Sequence, residues 1–404
     1  MSHALELLNN FRESLPADTP ENQNIREKLL LELRKVSLSL ERQDNAVERI
    51  SFQLMETVAC RIGVDLCIFE LLDSSPSPQT VGEVAKHAKG ADPTLVVFMA
   101  ISLTRPGRVL RCLEAFGAIG GNSETGYTSN TVSKAFANLR HQACLKSCFD
   151  FLAPGWILIP QYLKEKNYQN PTSGTDTPFS KAYGFKDGAT LWEILGTTDH
   201  MPVMGLWMES FNDGHKNFLD IYPAMERLAP GASTDPEAVM MVDIGGGHGH
   251  QAINMKKKFP DLPGKYIVTD LAHGLPVNKD ENKGVEFLVH DFMTEMPIKG
   301  ARFYYLRYIS HDWPQAILIQ ILTHVCKAMT PGYSKVIIND WIVPEQGASK
   351  FMTAQDFNMM AIGGGMERTQ ALHEEYLGAV GLKISGIWKA DDEISESVIE
   401  CEIA

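Results

Sequence analysis

The chain reads as an α/β protein, a Rossmann-like doubly wound sheet domain preceded by a mostly helical region with a winged-helix unit. Three observations predict this. From Glu237 onward, strand-like runs at 239–244, 265–269, 285–289, 302–309 and 334–341 alternate with helical stretches. The first run, Val239 to Ile244, enters the glycine-rich turn Gly245-Gly246-Gly247-His248-Gly249. The first hundred residues instead carry apolar side chains at helical spacing. The expected organisation is a helical winged-helix dimerisation domain at 1–150, a helical linker and substrate-pocket segment at 151–230, and a Rossmann-like cofactor-binding catalytic domain at 231–404.

Leu29, Leu30, Leu33, Val36 and Leu40 recur on one face of a helix from Asn24 to about Arg42, and the pattern continues from Val47 to Leu72 with a break only at Gly63. Thr80 and Asp92-Pro93 each signal a helix start. After the run Arg108 to Gly117, the polar turn Asn122 to Gly126 followed by Tyr127-Thr128 reads as a β-hairpin, completing a winged helix. Arg105, Arg108 and Arg111 are its one basic cluster, and the chain's net charge is -13. Counterion release needs clustered cations, so nucleic acid is excluded as the partner. Pro154 to Gly188 is rich in Pro, Gly, Ser and Asn, and leads into the helical stretch Ala189 to Phe218, dense in Trp and Met.

The composition, 44% hydrophobic and 22% charged over 404 residues, is that of a globular protein with full-sized cores. The apolar runs, such as Leu152 to Ile159, are interrupted by Pro and Gly and fall short of a membrane span. With no basic and apolar leader at the N-terminus, the expected location is cytoplasmic, away from membranes. The seven cysteines form no C-x-x-C pair. Cys144 and Cys148 stand at i, i+4 near His141, but no second ligand cluster accompanies them, so no metal is expected.

The chemistry falls on successive strand ends. The glycine spacing departs from the dinucleotide fingerprint, and no Lys-Ser/Thr follows it as in a phosphate-binding loop. Asp243, Gly245 and Gly247 begin the site. Asp270-Leu271 ends the second strand, where a carboxylate meets ribose hydroxyls. Asp291 ends the third, placed for an adenine amino group, with Phe292 and Met293 covering the ring. A nucleoside site without a phosphate cradle fits S-adenosylmethionine better than NAD or ATP. The fourth strand ends in Arg307-Tyr308-Ile309-Ser310-His311-Asp312-Trp313-Pro314, and a His there is suited to take a proton from a phenol or enol. Asp340, ending the fifth strand, and Glu367 in Gly363-Gly364-Gly365-Met366-Glu367-Arg368-Thr369 are carboxylates able to orient His311.

Together, Val242-Asp243-Ile244-Gly245-Gly246-Gly247-x-Gly249, Asp270-Leu271, Asp291-Phe292, His311-Asp312-Trp313-Pro314 and Glu367-Arg368-Thr369 resemble the plant caffeic-acid type O-methyltransferases and their fungal secondary-metabolite relatives. The resemblance implies a homodimer with interlocking N-terminal helices, and S-adenosylmethionine held by Gly245, Asp270, Asp291 and Phe292. It also implies His311 as general base, with Asp340 and Glu367 as its acidic partners and Asp312 beside it. Three positions depart from the family pattern: His290 stands where Gly is usual, Asp340 where plant members have Glu, and Arg307 where Lys is frequent. Some fungal relatives keep the cofactor without spending its methyl group, and catalyse dehydration and pericyclic ring closure instead. In that alternative a His of the N-terminal region acts, and His141 is the candidate. Retention of His311 with Glu367 favours methyl transfer. The acceptor is expected to be a flat, largely apolar small molecule lying among Trp156, Met208, Phe211, Met359 and Ile362.

Overall fold

A computed structural model describes residues 2–17, 19–88, 91, 95, 107–210, 216, 218–276, 284–390 and 396–404. Asp92-Pro93, Arg105 and Phe211 lie outside these described residues. The chain divides into two compact units, Met1–Asn138 and Leu139–Ala404.

The first unit is helical, as its periodicity predicts, with helices Gln23–Leu40, Gln43–Phe52, Leu54–Asp65 and Ile68–Ser74 among its elements. The break in the apolar run comes at Cys67, whose φ of 51° is left-handed, and not at Gly63. Gly63 stays inside the helix Leu54–Asp65, and its missing Cβ makes room for the Phe69 ring, which a Cβ there would meet at 2.9 Å. Thr80 caps the helix Val81–His87 in a reciprocal capping box with Glu83. The hairpin forms from β1 (Gly120–Asn122) and β2 (Gly126–Thr128), with Gly121 opposite Tyr127. Gly121 has a φ of 74°, and a Cβ there would meet the Gly126 carbonyl oxygen at 2.0 Å.

The second unit opens with one continuous helix, Leu139–Glu165. Contrary to the sequence expectation, it is long and apolar enough to span a membrane. Pro154 does not break it, because residues Ser147–Leu152 form a π-helical turn in which the Ala153 N–H reaches back to the Cys148 carbonyl. Its Ala143, Phe151 and Leu152 are buried against Phe179, Ile194 and Leu195 in an apolar core, which is the packing of a protein interior.

The central sheet has β3 (Val239–Ile244), β4 (Lys265–Asp270), β5 (Glu286–Val289), β6 (Phe303–Arg307) and β7 (Lys335–Asp340), followed, after the short β8 (Ile342–Val343) and β9 (Arg368–Thr369), by β10 (Leu382–Lys389) and β11 (Ser397–Ile403). Its order is β10-β11-β7-β6-β3-β4-β5. The strands β3 to β7 are mutually parallel, while β10 and β11 run antiparallel. Buried Val242, Ile244, Leu306 and Ile338 face one layer and Met241, Val268, Phe303 and Ile337 the other, so both faces are covered. Strand order reverses between β3 and β6, and a doubly wound sheet opens its ligand crevice at that reversal, beyond the carboxyl ends of its strands. The antiparallel β11 runs the other way and begins at that same edge, Ser397 lying opposite Asp340.

Candidate active site

The loop after β3 is shaped by glycines at positive φ, 67° at Gly245 and 54° at Gly247. A Cβ at Gly245 would meet Ile309 Cδ1 at 2.7 Å, so the loop lies close against the segment after β6. Asp270 closes the turn: its Oδ2 accepts from the Gly247 N–H at 2.8 Å and its Oδ1 from the Leu271 N–H at 2.7 Å. Burial pushes the Asp270 carboxyl above its ordinary range, and burial likewise pushes Asp243, 3% exposed, up to about 7. Asp291 accepts from the Met293 N–H at 2.9 Å. Phe292 stands edge-on to Trp313, with ring centroids 6.1 Å apart.

Several features fit a nucleoside with polar edges. A Cβ at Gly245 or Gly246 would have a neighbour within 2.7 Å, so the turn stays bare of side chains at those positions, and Asp270 and Asp291 follow neighbouring strands. The buried Trp313 Nε1 and His290 Nε2 lack a partner among the described residues. Arg307 is committed elsewhere, its Nε lying 3.0 and 3.1 Å from the two carboxylate oxygens of buried Glu396. Tyr308, at a φ of 54°, donates to the same carboxylate at 2.6 Å.

His311 sits in a 3-10 turn, Ser310–Asp312, and is 6% exposed. Its Nδ1 lies 2.9 Å from Glu367 Oε1 and 3.5 Å from Asp340 Oδ1, while its Nε2 lies 3.5 Å from Asp312 Oδ1. Asp340 and Glu367 are themselves buried, and Ser310 Oγ donates to the other oxygen of Asp340. The imidazole stacks on Tyr308 at 5.4 Å, and the Trp341 ring stands 5.9 Å away. Burial alone would lower the His311 pKa, but Glu367, Asp340 and Asp312 outweigh it and push it up to about 10. Burial pushes Asp312 up to about 7, against the pull of the imidazole, and Asp340 also moves upward through burial. Without other ligands the cluster therefore stores its proton as imidazolium. By spacing alone, His311, Asp340 and Glu367 bring three potential ligand atoms within 4.8 Å of one another. The hydrogen bond already made by Nδ1 favours an acid–base unit over a cation site.

The loop carrying Glu367 is held against this turn by glycines. Gly364, at φ 64°, ends the helix Lys350–Gly363. A Cβ at Gly365 would meet the His311 carbonyl oxygen at 2.0 Å, and one at Gly363 the Asp312 carbonyl oxygen at 2.3 Å. Met359 and Ile362 on that helix are buried with Trp156 packed against the same core, and Trp156 Nε1 donates to Asn358 at 2.9 Å. Ile362 also lines a cleft with Leu191, Trp192 and Trp313, and that cleft reaches Asp312. Met208 is 44% exposed and His141 is partly buried on the helix Leu139–Lys146. Sequence reasoning assigned no role to Ser310, Tyr308, Trp341, Arg368 or Glu396. Trp313 served it only as a motif residue. Of these, Ser310, Tyr308, Trp313 and Arg368 lay inside recognised motifs, but Glu396 carried no signal because the strand it immediately precedes, Ser397–Ile403, was not anticipated.

A family profile describing an O-methyltransferase domain matches residues 170–383. Demethylsterigmatocystin 6-O-methyltransferase of Aspergillus parasiticus is 35% identical over 87% of this chain and 86% of its own length. The structure of LepI in complex with S-adenosylmethionine superposes with a TM-score of 0.83 at 27% identity, covering 100% of this chain and 98% of that one. A structure described as a pericyclic reaction enzyme gives a TM-score of 0.85 at 27% identity, with 100% of both chains covered. With the class I fold, the crevice at the strand reversal and these likenesses in agreement, the chain belongs to the O-methyltransferase family and is an S-adenosylmethionine-dependent enzyme.

Proposed function

We propose that the enzyme methylates a hydroxyl of a small aromatic or polyketide-type secondary metabolite (a phenol, enol or pyridone), with His311 as general base. The observation that carries this reading is the buried contact of His311 Nδ1 with Glu367 at 2.9 Å, which leaves Nε2 as the nitrogen to receive a proton. Asp243, Gly245, Gly247, Asp270, Leu271, Asp291, Phe292 and Met293 are assigned the cofactor's share of the site; Arg307, expected there from the sequence, spends its guanidinium on Glu396 and is left with a supporting place beside them. When bound, S-adenosylmethionine supplies an electrophilic methyl group on a positively charged sulfonium. His311 Nε2 takes the acceptor's hydroxyl proton, making the oxygen nucleophilic. Glu367 and Asp340 stabilise the imidazolium that results, and Asp312, at the cleft, stands where the proton leaves. Trp156, Met359 and Ile362, with His141, Met208 and Phe211, are assigned to the acceptor's pocket.

We assign 1–150 to dimerisation, through the unit that ends at Asn138, 151–230 to linker and substrate pocket, and 231–404 to catalysis in a cytoplasmic homodimer; the helix Leu139–Glu165 carries the chain across the first of these boundaries. The helix Gln43–Phe52 supports the dimer: it buries none of its residues within the chain and exposes Val47, Ile50 and Phe52 by 64–66%.

A second reading, ring closure with the cofactor retained, is favoured by the full-length likeness to a pericyclic reaction enzyme. Incubation with labelled S-adenosylmethionine and a panel of phenols and pyridones separates the two. S-adenosylhomocysteine formed by the wild type and abolished by His311→Ala supports methyl transfer. Acceptor turnover without cofactor consumption overturns it and supports the second reading.

A further inference from the structure

Arg368 is the largest fully buried side chain among the described residues, at 1% exposure, and it touches the two segments that must meet for His311 to find Glu367. Its Nη1 donates to the carbonyl of Ser310 at 2.5 Å and to that of Met366 at 3.3 Å, and its Nη2 donates to the carbonyl of Trp313 at 2.8 Å. Ser310 and Trp313 flank the catalytic turn, while Met366 immediately precedes Glu367. From the opposite direction the Met366 N–H donates to the His311 carbonyl at 3.0 Å. The guanidinium lies over the Tyr376 ring at 5.5 Å, and the Tyr376 hydroxyl pairs with His373 Nδ1 at 2.7 Å.

An ion pair does not explain this residue. Its hydrogen bonds run to main-chain oxygens and not to Asp340, Glu367 or Asp356, although all three carboxylates act on its charge from nearby. Burying a guanidinium is costly where its donors go unused; here Nη1 and Nη2 are spent on carbonyls, while the buried Nε has no partner among the described residues. A planar fork reaches carbonyls in different directions from one rigid group, which a lysine ammonium on a flexible stem does not reproduce. The short parallel pairing of β8 with β9, Ile342 with Arg368, fixes the backbone from which the fork projects.

We propose that Arg368 is a positioning residue for the base: it clamps the turn Ser310–Trp313 to the loop carrying Glu367, and so sets the His311–Glu367 contact. The inference rests on His311 being the base. It assigns Arg368 no contact with cofactor or acceptor.

The test compares Arg368→Lys, Arg368→Ala and His311→Ala in the full chain. Each is assayed for kcat, for KM of both substrates, for S-adenosylhomocysteine affinity by calorimetry and for thermal melting. The proposal expects Arg368→Lys to stay folded and to bind S-adenosylhomocysteine within about twofold of wild type. It also expects a loss of at least about tenfold in kcat with little change in KM, the mark of a misplaced catalytic group. Added guanidinium should restore part of the kcat of Arg368→Ala and nothing in His311→Ala. Wild-type kcat in Arg368→Lys overturns the clamp. So does a variant that melts below assay temperature, or one that loses cofactor affinity in step with activity, since each leaves Arg368 a packing residue. If His311→Ala retains methyl transfer, the base assignment fails instead, and that result is distinct from wild-type Arg368→Lys beside an inactive His311→Ala.

Discussion

Glu367→Gln keeps the size and hydrogen-bonding oxygen of the side chain next to His311 and removes its charge. In the wild type the imidazole, ordinarily near 6.5, is pushed up to about 10, which corresponds to roughly 5 kcal/mol in favour of the charged form at ~1.36 kcal/mol per pH unit. A single carboxylate at hydrogen-bond distance accounts for about one to three pH units of such a rise, and Asp340 and Asp312 at 3.5 Å remain in the variant. The acid limb of kcat/KM, which reports the free enzyme, is therefore expected near pH 10 in the wild type and about two pH units lower in Glu367→Gln. The assay is S-adenosylhomocysteine release from pH 6 to 10.5 at fixed ionic strength.

Linkage supplies an independent reading of the same proton. Because the folded pKa is raised, the contribution of His311 to stability is fully present below its unfolded value of 6.5 and is lost as pH rises through about 10. Asp312, raised to about 7, acts in the same direction at lower pH, its contribution being lost between its ordinary 3.8 and that value. Melting temperature should consequently fall across the alkaline range in wild type and fall less in Glu367→Gln. An acid limb that does not move on loss of the Glu367 charge would refute the electrostatic account of the base.

Other outcomes follow from the same geometry. Gly245→Ala places a methyl 2.7 Å from Ile309 Cδ1 at a φ of 67°, so S-adenosylhomocysteine affinity should drop by about tenfold or more in calorimetry while the fold persists. Gly365→Ala drives a Cβ into the His311 carbonyl, and should depress kcat far more than cofactor binding. Glu400, fully buried, gathers Arg227, Tyr222, Lys335 and Ser385, and these partners overcome burial to hold it down at about 2. Glu400→Gln should cost about 3–5 kcal/mol in denaturant unfolding. Ile50→Asp with Phe52→Asp should shift the mass in light scattering from dimer to monomer, whereas an unchanged wild-type-like dimer removes that helix from the interface.

The parallel part of the fold was legible because its signals are local. Strands β3, β4, β6 and β7 are short, mostly apolar runs punctuated by turns, as buried parallel strands must be, and the largely exposed edge strand β5 was still marked by its Phe287-Leu288-Val289 run. The antiparallel β10 and β11 were not legible: Lys383, Gly386 and Lys389 interrupt the apolar pattern of the first, and Glu400 and Glu402 interrupt that of the second. The helix through Pro154 was hidden for a different reason. A π turn reroutes the backbone hydrogen bonds around the proline, and no composition rule marks such a turn in advance. In the site, residues at strand ends were readable by position, while Arg368 and Glu396 were not, since their work is done on carbonyls and charges contributed by distant segments.

The arrangement also explains how one fold can host two reactions. Gly245, Asp270 and Asp291 stand beyond the ends of β3, β4 and β5, on one side of the strand reversal. His311, Asp340 and Glu367 come from β6, β7 and the loop before β9 on the other. A substitution at His311 itself leaves Asp270 and Asp291 in place, whereas its neighbours Ile309 and Trp313 pack against Gly245 and Phe292 and couple the two sides. On the proposed reading the deciding variable is the proton inventory around His311: an imidazole that three nearby carboxylates favour as imidazolium must be neutral to accept an acceptor's proton, and a bound sulfonium, being positive, favours that loss. If cofactor analogues lacking the positive charge leave the His311 pKa near 10 in an NMR titration while S-adenosylmethionine lowers it, the base is armed by its own cosubstrate. An unchanged titration with either ligand would remove that coupling and shift weight to the charge-retaining, pericyclic reading.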